Sequence, residues 1–153
     1  MAKEVKKKSV SIKNRKASFE YHITDRFICG IVLQGSEIKS VRAGQANISD
    51  AYCIVDNGRV IVKNLHISEF KNAGYAQHIP IHDRFLLLHK SEIKKIVNKL
   101  KDRGFTLIPT EMFIAESGYA KLEIGLARGK KSFDKRDDLK TKDIAREMER
   151  YQD

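Results

Sequence analysis

The 153-residue sequence predicts a mainly β fold, an OB-like closed antiparallel β-barrel with two or three flanking helices. A charged C-terminal tail, disordered until bound, is expected to follow it. Three observations carry this prediction. Short β-rich runs are joined by turn residues rather than by helices, so hairpins organise the chain and βαβ units do not. Only two stretches change to helical spacing. Strand alternation then stops between Leu126 and Arg136, beyond which charges of both signs dominate. The chain accordingly divides into a flexible basic N-terminal arm (1–12), a barrel (13–129) and a tail (130–153).

The elements follow in order. Residues 3–16 are basic and carry no evident period, so they read as a mobile arm ending at Asn14-Arg15-Lys16. The runs Phe19–Ile23 and Phe27–Leu33 flank Thr24-Asp25-Arg26 and read as a hairpin. Gly30 within the second run suggests a bulge or bend. Between Gln34 and Gly44, Ile38 and Val41 share one face while Lys39 and Arg42 share the other, which predicts a short helix. Ala51–Val55 and Val60–Val62 meet at Asp56-Asn57-Gly58-Arg59, where Asn-Gly favours the positive φ of a tight hairpin turn. Residues 68–84 are irregular. Ile93, Ile96, Val97 and Leu100 define a helix over 91–103, with Ser91 as its cap and Gly104 closing it. Thr106–Ile114 and Tyr119–Leu126 form a last hairpin, its second strand in strict period two, and Pro109 marks an irregularity in the first.

A net charge of +10 favours polyanionic partners through counterion release, though it also serves plain solubility. No apolar run approaches the roughly 20 residues that cross a bilayer, and the basic N-terminus lacks a signal-peptide core. A cytoplasmic protein without membrane contact is expected. Cys29 and Cys53, with no CxxC spacing, read as small buried hydrophobes. Phosphate-loop, nucleophile-elbow and HExxH motifs are absent, so neither catalysis nor a cofactor is expected. His78 and His82 are four apart, but Pro80 between them argues against a shared helical face and a metal.

What remains is basic. Arg15, Lys16, Lys39, Arg42, Arg84, Lys121, Arg128, Lys130 and Lys131 cluster near element edges and suit phosphate contacts along one side of a barrel. Tyr21, Tyr52 and Tyr119 either stack on bases or pack against the barrel. In the tail, Ile144, Met148 and Tyr151 fall at i, i+4 and i+7. That narrow stripe fits a segment that becomes helical on binding, or else a helix docked on the barrel. On residues alone, a structured-RNA adaptor and a generic OB-type single-strand binder both remain open, the second needing a stacking groove.

Three segments taken together, Leu33–Arg42, Leu86–Lys90 and Gly129–Arg136, resemble the SmpB family of SsrA-binding proteins, from about Ser11 to Lys142. The resemblance implies a non-catalytic adaptor that binds the tRNA-like domain of tmRNA. It implies delivery of that RNA, as alanyl-tmRNA with elongation factor Tu, to stalled ribosomes for trans-translation: ribosome rescue and peptide tagging. It also implies that the tail reaches the small-subunit decoding region and the mRNA channel. Carried over by position, Asn14 matches the first RNA-contacting segment, and Gly35, Glu37, Lys39 and Arg42 match the short-helix motif. Leu87 matches the middle of the leucine run and Lys121 a basic residue on the late strand. Asp134, Lys135 and Arg136 match the root of the ribosome-directed tail. Ile28 stands where relatives frequently carry an acidic residue.

Overall fold

In the computed structural model, residues 7–71, 73–74 and 77–130 are described. The elements are β1 (Lys7–Lys13), α1 (Arg15–Glu20), β2 (Tyr21–Ile31), α2 (Gly35–Arg42), β3 (Ala46–Asn47), β4 (Tyr52–Asp56), β5 (Arg59–Lys63), β6 (His66–Ile67), β7 (Arg84–Leu87), α3 (Lys90–Leu100), β8 (Phe105–Ala115) and β9 (Ala120–Gly129). Seven strands form one sheet in the order β1-β8-β4-β5-β7-β2-β9, and β9 also pairs with β8. The sheet therefore bends round into a ring, every pairing in it antiparallel. β3 and β6 pair separately.

Local signals place several elements as expected. The β4–β5 turn holds Asn57 at φ 50° and Gly58 at φ 74°, the left-handed pair that a tight hairpin requires. In β9, Ala120, Leu122, Ile124 and Leu126 all face the core. The β8–β9 register slips between Pro109 and Glu111, where proline cannot donate to the ladder. The backbone N–H of His89 donates to Glu92 Oε1 at 3.0 Å, so Glu92 rather than Ser91 closes the start of α3.

Several expectations are corrected. Phe19 and Glu20, read as the start of a strand, close helix α1, which Asn14 caps. The segment read as a mobile arm contains β1, which pairs with β8. Val10 and Ile12 alternate there and pack on the core, a period-two signal hidden among lysines. The proposed hairpin at Thr24-Asp25-Arg26 is instead the interior of one strand, β2, with a register slip between Ile23 and Asp25. The long partner β9 offers hydrogen bonds through the whole stretch, and Thr24 Oγ1 donates to Leu126 O at 3.3 Å. The break expected at Gly30 lies at this slip. At Gly30 itself, β2 meets both Lys121 of β9 and Leu87 of β7.

The core combines Leu107, Met112, Leu122, Ile124 and Leu126 from β8 and β9 with Val60 and Val62 of β5. Val41 of α2 and Ile96 of α3 are fully buried against it, so each helix is anchored by an apolar stripe. Cys29 and Cys53 are free, buried thiols. Burial pushes Cys29 up to about 12, with the Glu92 carboxylate adding to the shift. It remains a neutral thiol and donates to Leu122 O at 3.2 Å.

Candidate nucleic-acid interface

One basic surface starts from α2. Gln34 N donates to Glu37 Oε1 at 2.9 Å, which satisfies an amide at the helix start, and Ile38 and Val41 turn inward. Lys39 and Arg42 are left outward in the last turn, where the helix dipole favours cations. Arg42 Nη2 donates to Gly118 O at 3.1 Å, tying the end of α2 to the β8–β9 turn. Lys39 Nζ lies 5.7 Å from the centroid of Phe70. Gly35 opens the helix with no atom within 4 Å of a would-be Cβ, so its surface is open to an approaching partner.

A buried polar cluster holds this helix from beneath. Glu37 has no exposed surface. Its Oε2 takes the Arg84 guanidinium at 2.5 Å and His82 Nε2 at 3.0 Å. Arg84, only 2% exposed, also donates to the carbonyls of Leu65 (2.6 Å) and Pro80 (3.1 Å). Burial alone would raise the Glu37 carboxyl. The Gln34 N–H, Arg84 and His82 outweigh it and hold the carboxyl below its ordinary value. Ser36 Oγ lies 2.8 Å from His78 Nδ1, and His78 Nε2 lies 2.9 Å from Ile67 O. Both histidines are thus engaged in bracing the loop before β7 against α2. Sequence reasoning placed Arg84 among the surface cations. The structure corrects this: in β7, Arg84 and Leu86 face inward while Phe85 and Leu87 face outward. Glu37 likewise contributes by positioning α2 rather than by contact.

The outer face of the ring dips to an apolar saddle at Gly30. Gly30 is paired with Leu87 on one side and Lys121 on the other, so the three share one row across β7, β2 and β9. A Cβ at Gly30 would meet Leu87 Cβ and Cδ1 at 3.4 Å, so the glycine lets Leu87 lie low over the strand. Leu87 is 62% exposed, and Ile28 on the same face is exposed as well. Glu123, opposite Ile28, is paired with Arg26 at 2.9 Å. An apolar saddle is thus edged by Lys121, with Arg42 reaching the turn just before β9.

The remaining predicted residues gather at the other end of β9. Asn14 is buried: its Oδ1 accepts from Ala17 N at 3.1 Å, and its Nδ2 donates to Pro109 O at 2.9 Å and Ile48 O at 3.3 Å. It caps α1 and shapes that segment rather than facing a partner. Arg15 and Lys16 are exposed, Lys16 within 3.5 Å of Asp50. The Arg128 guanidinium stacks 4.6 Å from the Phe105 centroid. Lys130 is held against α1, its N–H donating to Glu20 O at 2.8 Å and its Nζ to Ser18 O at 3.1 Å. Seven residues of extended strand separate Lys121 from Arg128, about 24 Å. The structure therefore resolves one predicted patch into two. Tyr21 packs beside Ala17 and Ile108, whereas Tyr52 and Tyr119 are exposed. Lys131, Asp134, Lys135, Arg136, Ile144 and Met148, and the conditional helix predicted for the tail, lie outside the described residues. Arg59 escaped sequence reasoning because only the β5–β7 register brings it beside Leu87, and Phe85 shares the outer face of β7 with Leu87 by alternation.

Comparison with known proteins gives a consistent picture. The family model described as SmpB protein matches residues 11–153. The SsrA-binding protein of Cytophaga hutchinsonii is 48% identical over 143 residues, covering 94% of each chain. That of Bacteroides thetaiotaomicron is 47% identical over 146 residues, covering 95% of this chain and 97% of its own. A solved structure described as "tmRNA-SmpB: a journey to the center of the bacterial ribosome" superimposes with a TM-score of 0.69 at 37% identity, covering 81% of this chain and 87% of that one.

Proposed function

Since the chain belongs to the SmpB family, we propose that it is an adaptor that binds the tRNA-like domain of tmRNA and brings it to stalled ribosomes for trans-translation. The observation that carries this reading is the outer row of Leu87, Gly30 and Lys121, an apolar strip ending in a cation, with Arg42 tied to the turn just before β9 and Lys39 outward on the same helix. Phosphates of a folded RNA suit the cations, and an unstacked loop nucleotide suits the saddle. Gly35 gives the backbone close access, while Glu37 and Asn14 hold the segments that present the contacts. Arg15, Lys16 and Arg128 form an outlying basic group on the same body, residues 13–129, which acts as an OB-like barrel.

The second job belongs to the tail, residues 130–153. Lys130 and Lys131, then Asp134, Lys135 and Arg136, leave the body at the end of β9, and Ile144 and Met148 supply the apolar side of a helix formed on ribosomal RNA. The decoding region and mRNA channel of the small subunit are its targets, and elongation factor Tu accompanies the alanyl-tmRNA. The role is non-catalytic and cytoplasmic.

A competition assay at fixed salt tests the reading. Labelled tRNA-like domain of tmRNA is displaced by ordinary tRNA or by single-stranded RNA. Preference for the tRNA-like domain supports the adaptor. Equal displacement by any single strand sinks it in favour of a generic single-strand binder.

A further inference from the structure

The saddle does not end at Leu87. Register sets Leu86 opposite Val60, which puts Arg59 beside Leu87, and sets Phe85 opposite Ile61. Because Val60, Val62 and Leu86 are buried, the alternate residues Arg59, Ile61, Lys63, Phe85 and Leu87 all stand on the outer face. Arg59, Leu87, Gly30 and Lys121 thus form one row across four strands, about 14 Å from end to end, with a cation at each end. Phe85 lies one pleat further along β7, 42% exposed, and Val32 N donates to its carbonyl at 3.0 Å. The Arg59 guanidinium sits 5.4 Å from the Phe85 ring centroid. A guanidinium over an aromatic ring presents a flat, polarised surface ringed by donors.

We propose that Arg59 and Phe85 form a stacking platform for one unpaired base of the bound RNA, continuous with the Leu87–Gly30–Lys121 saddle. This rests on the reading under Proposed function and adds a second subsite to it. The occupant is a nucleobase because the Arg59 guanidinium over the Phe85 ring offers a flat face, continuous with a row that ends in Lys121, a cation suited to a neighbouring phosphate; Lys63 is already paired with Asp83 at 3.5 Å. Stacking is worth enough per base for its loss to weaken binding by about 5- to 100-fold. Because no charge is removed with Phe85, the salt dependence of binding should stay as it was.

The test uses the full chain and fluorescently labelled tRNA-like domain of tmRNA, with Kd measured by anisotropy across a salt series. Phe85→Ala should lose about 5- to 100-fold in affinity with an unchanged slope, Phe85→Trp should bind as wild type, and Arg59→Ala should lose both affinity and slope. Replacing loop bases of the RNA singly by 2-aminopurine should reveal one position quenched by wild type and by Phe85→Trp but not by Phe85→Ala. Affinity of Phe85→Ala within twofold of wild type overturns the platform, and so does equal loss in Phe85→Ala and Phe85→Trp. Unchanged RNA affinity with weakened ribosome binding overturns it too, assigning the patch to a ribosomal partner. Failure of the wild type to prefer the tRNA-like domain would instead strike the function proposed above.

Discussion

Glu37→Gln is the most informative single change, because it removes one charge from a closed cluster without changing its shape. The side chains of Glu37 and Arg84 are 1% and 0% exposed. Without the carboxylate, Arg84 keeps only carbonyl partners at 2.6 Å (Leu65), 3.1 Å (Pro80) and 3.4 Å (His82). Breaking one side of a buried ion pair costs about 3–5 kcal/mol, and these carbonyls put the loss near 3 kcal/mol. That is a large fraction of the roughly 5–15 kcal/mol that stabilises a domain. At a urea m-value of about 1–3 kcal/mol/M, the unfolding midpoint should fall by about 1–3 M. RNA affinity should fall as well, because α2 loses the anchor that orients Lys39 and Arg42. The double variant Glu37→Gln/Arg84→Met should recover most of the stability, since no unpaired charge remains. The pH dependence follows from the same pair. The Glu37 carboxyl is held below its ordinary value of 4.5, so its stabilisation is complete above that pH and disappears as pH falls through the lowered native value. Acid unfolding of Glu37→Gln should therefore be shallower than that of wild type. A midpoint unchanged by Glu37→Gln, or strictly additive losses in the double variant, would refute the reasoning.

Gly125→Ala would bring a Cβ to 2.7 Å from Ile23 Cγ2, hemmed in by Thr110 Cγ2 at 3.4 Å and Asp25 O at 3.5 Å. It should cost about 1–3 kcal/mol by forcing β2 and β9 apart, and an unchanged melting temperature would contradict the packing. Gly35→Ala meets nothing within 4 Å and should leave stability equal or slightly higher; an RNA Kd that rises regardless would locate an RNA contact at that backbone. Truncation after Lys130 keeps the contacts to Ser18 and Glu20, so RNA affinity should stay within about twofold, on the order of 0.4 kcal/mol, while tagging of stalled products is lost. Loss of both activities together would show that the tail belongs to the RNA site.

How much the sequence revealed depended on how local each signal was. The β8–β9 hairpin, the Asn57-Gly58 turn and both longer helices are written in contiguous residues and stand where periodicity puts them, though α3 runs Lys90–Leu100 and ends before Gly104 instead of reaching 103. β2 was misread because Thr24-Asp25-Arg26 has the polarity of a turn, and only the distant strand β9 makes it a strand interior. β1 was missed because its two apolar positions sit among lysines. At the candidate site, Lys39, Arg42 and Leu87 stand outward, as their charge or motif position suggests, and Lys121 lies at the end of the outer row. Arg84 was not legible in this way, since charge ordinarily means surface, and only the buried Glu37 explains an arginine facing inward. The Arg59–Phe85 pair was beyond reach for a different reason. It depends on the register between β5 and β7, which about twenty residues, β6 among them, separate in sequence.

One strand connects the two proposed tasks. β9 carries Lys121 near its start and hands over to Lys130 at its end, and between them it is hydrogen-bonded to β2 on one side and β8 on the other. A strand paired on both edges bends little, so the roughly 30 Å from Lys121 to Lys130 is held at nearly constant length and direction. The contacts of Lys130 with Ser18 and Glu20 fix that residue against α1. An RNA gripped at one end of β9 would therefore be carried at a defined distance from the point where the tail departs. That is the geometric requirement for a body that must seat a folded RNA in one place while its tail reaches into another. A flexible linker in the same position would spread the two sites over many separations and lower their effective concentration for each other. Under the proposed function, a root on a doubly paired strand would keep that concentration high.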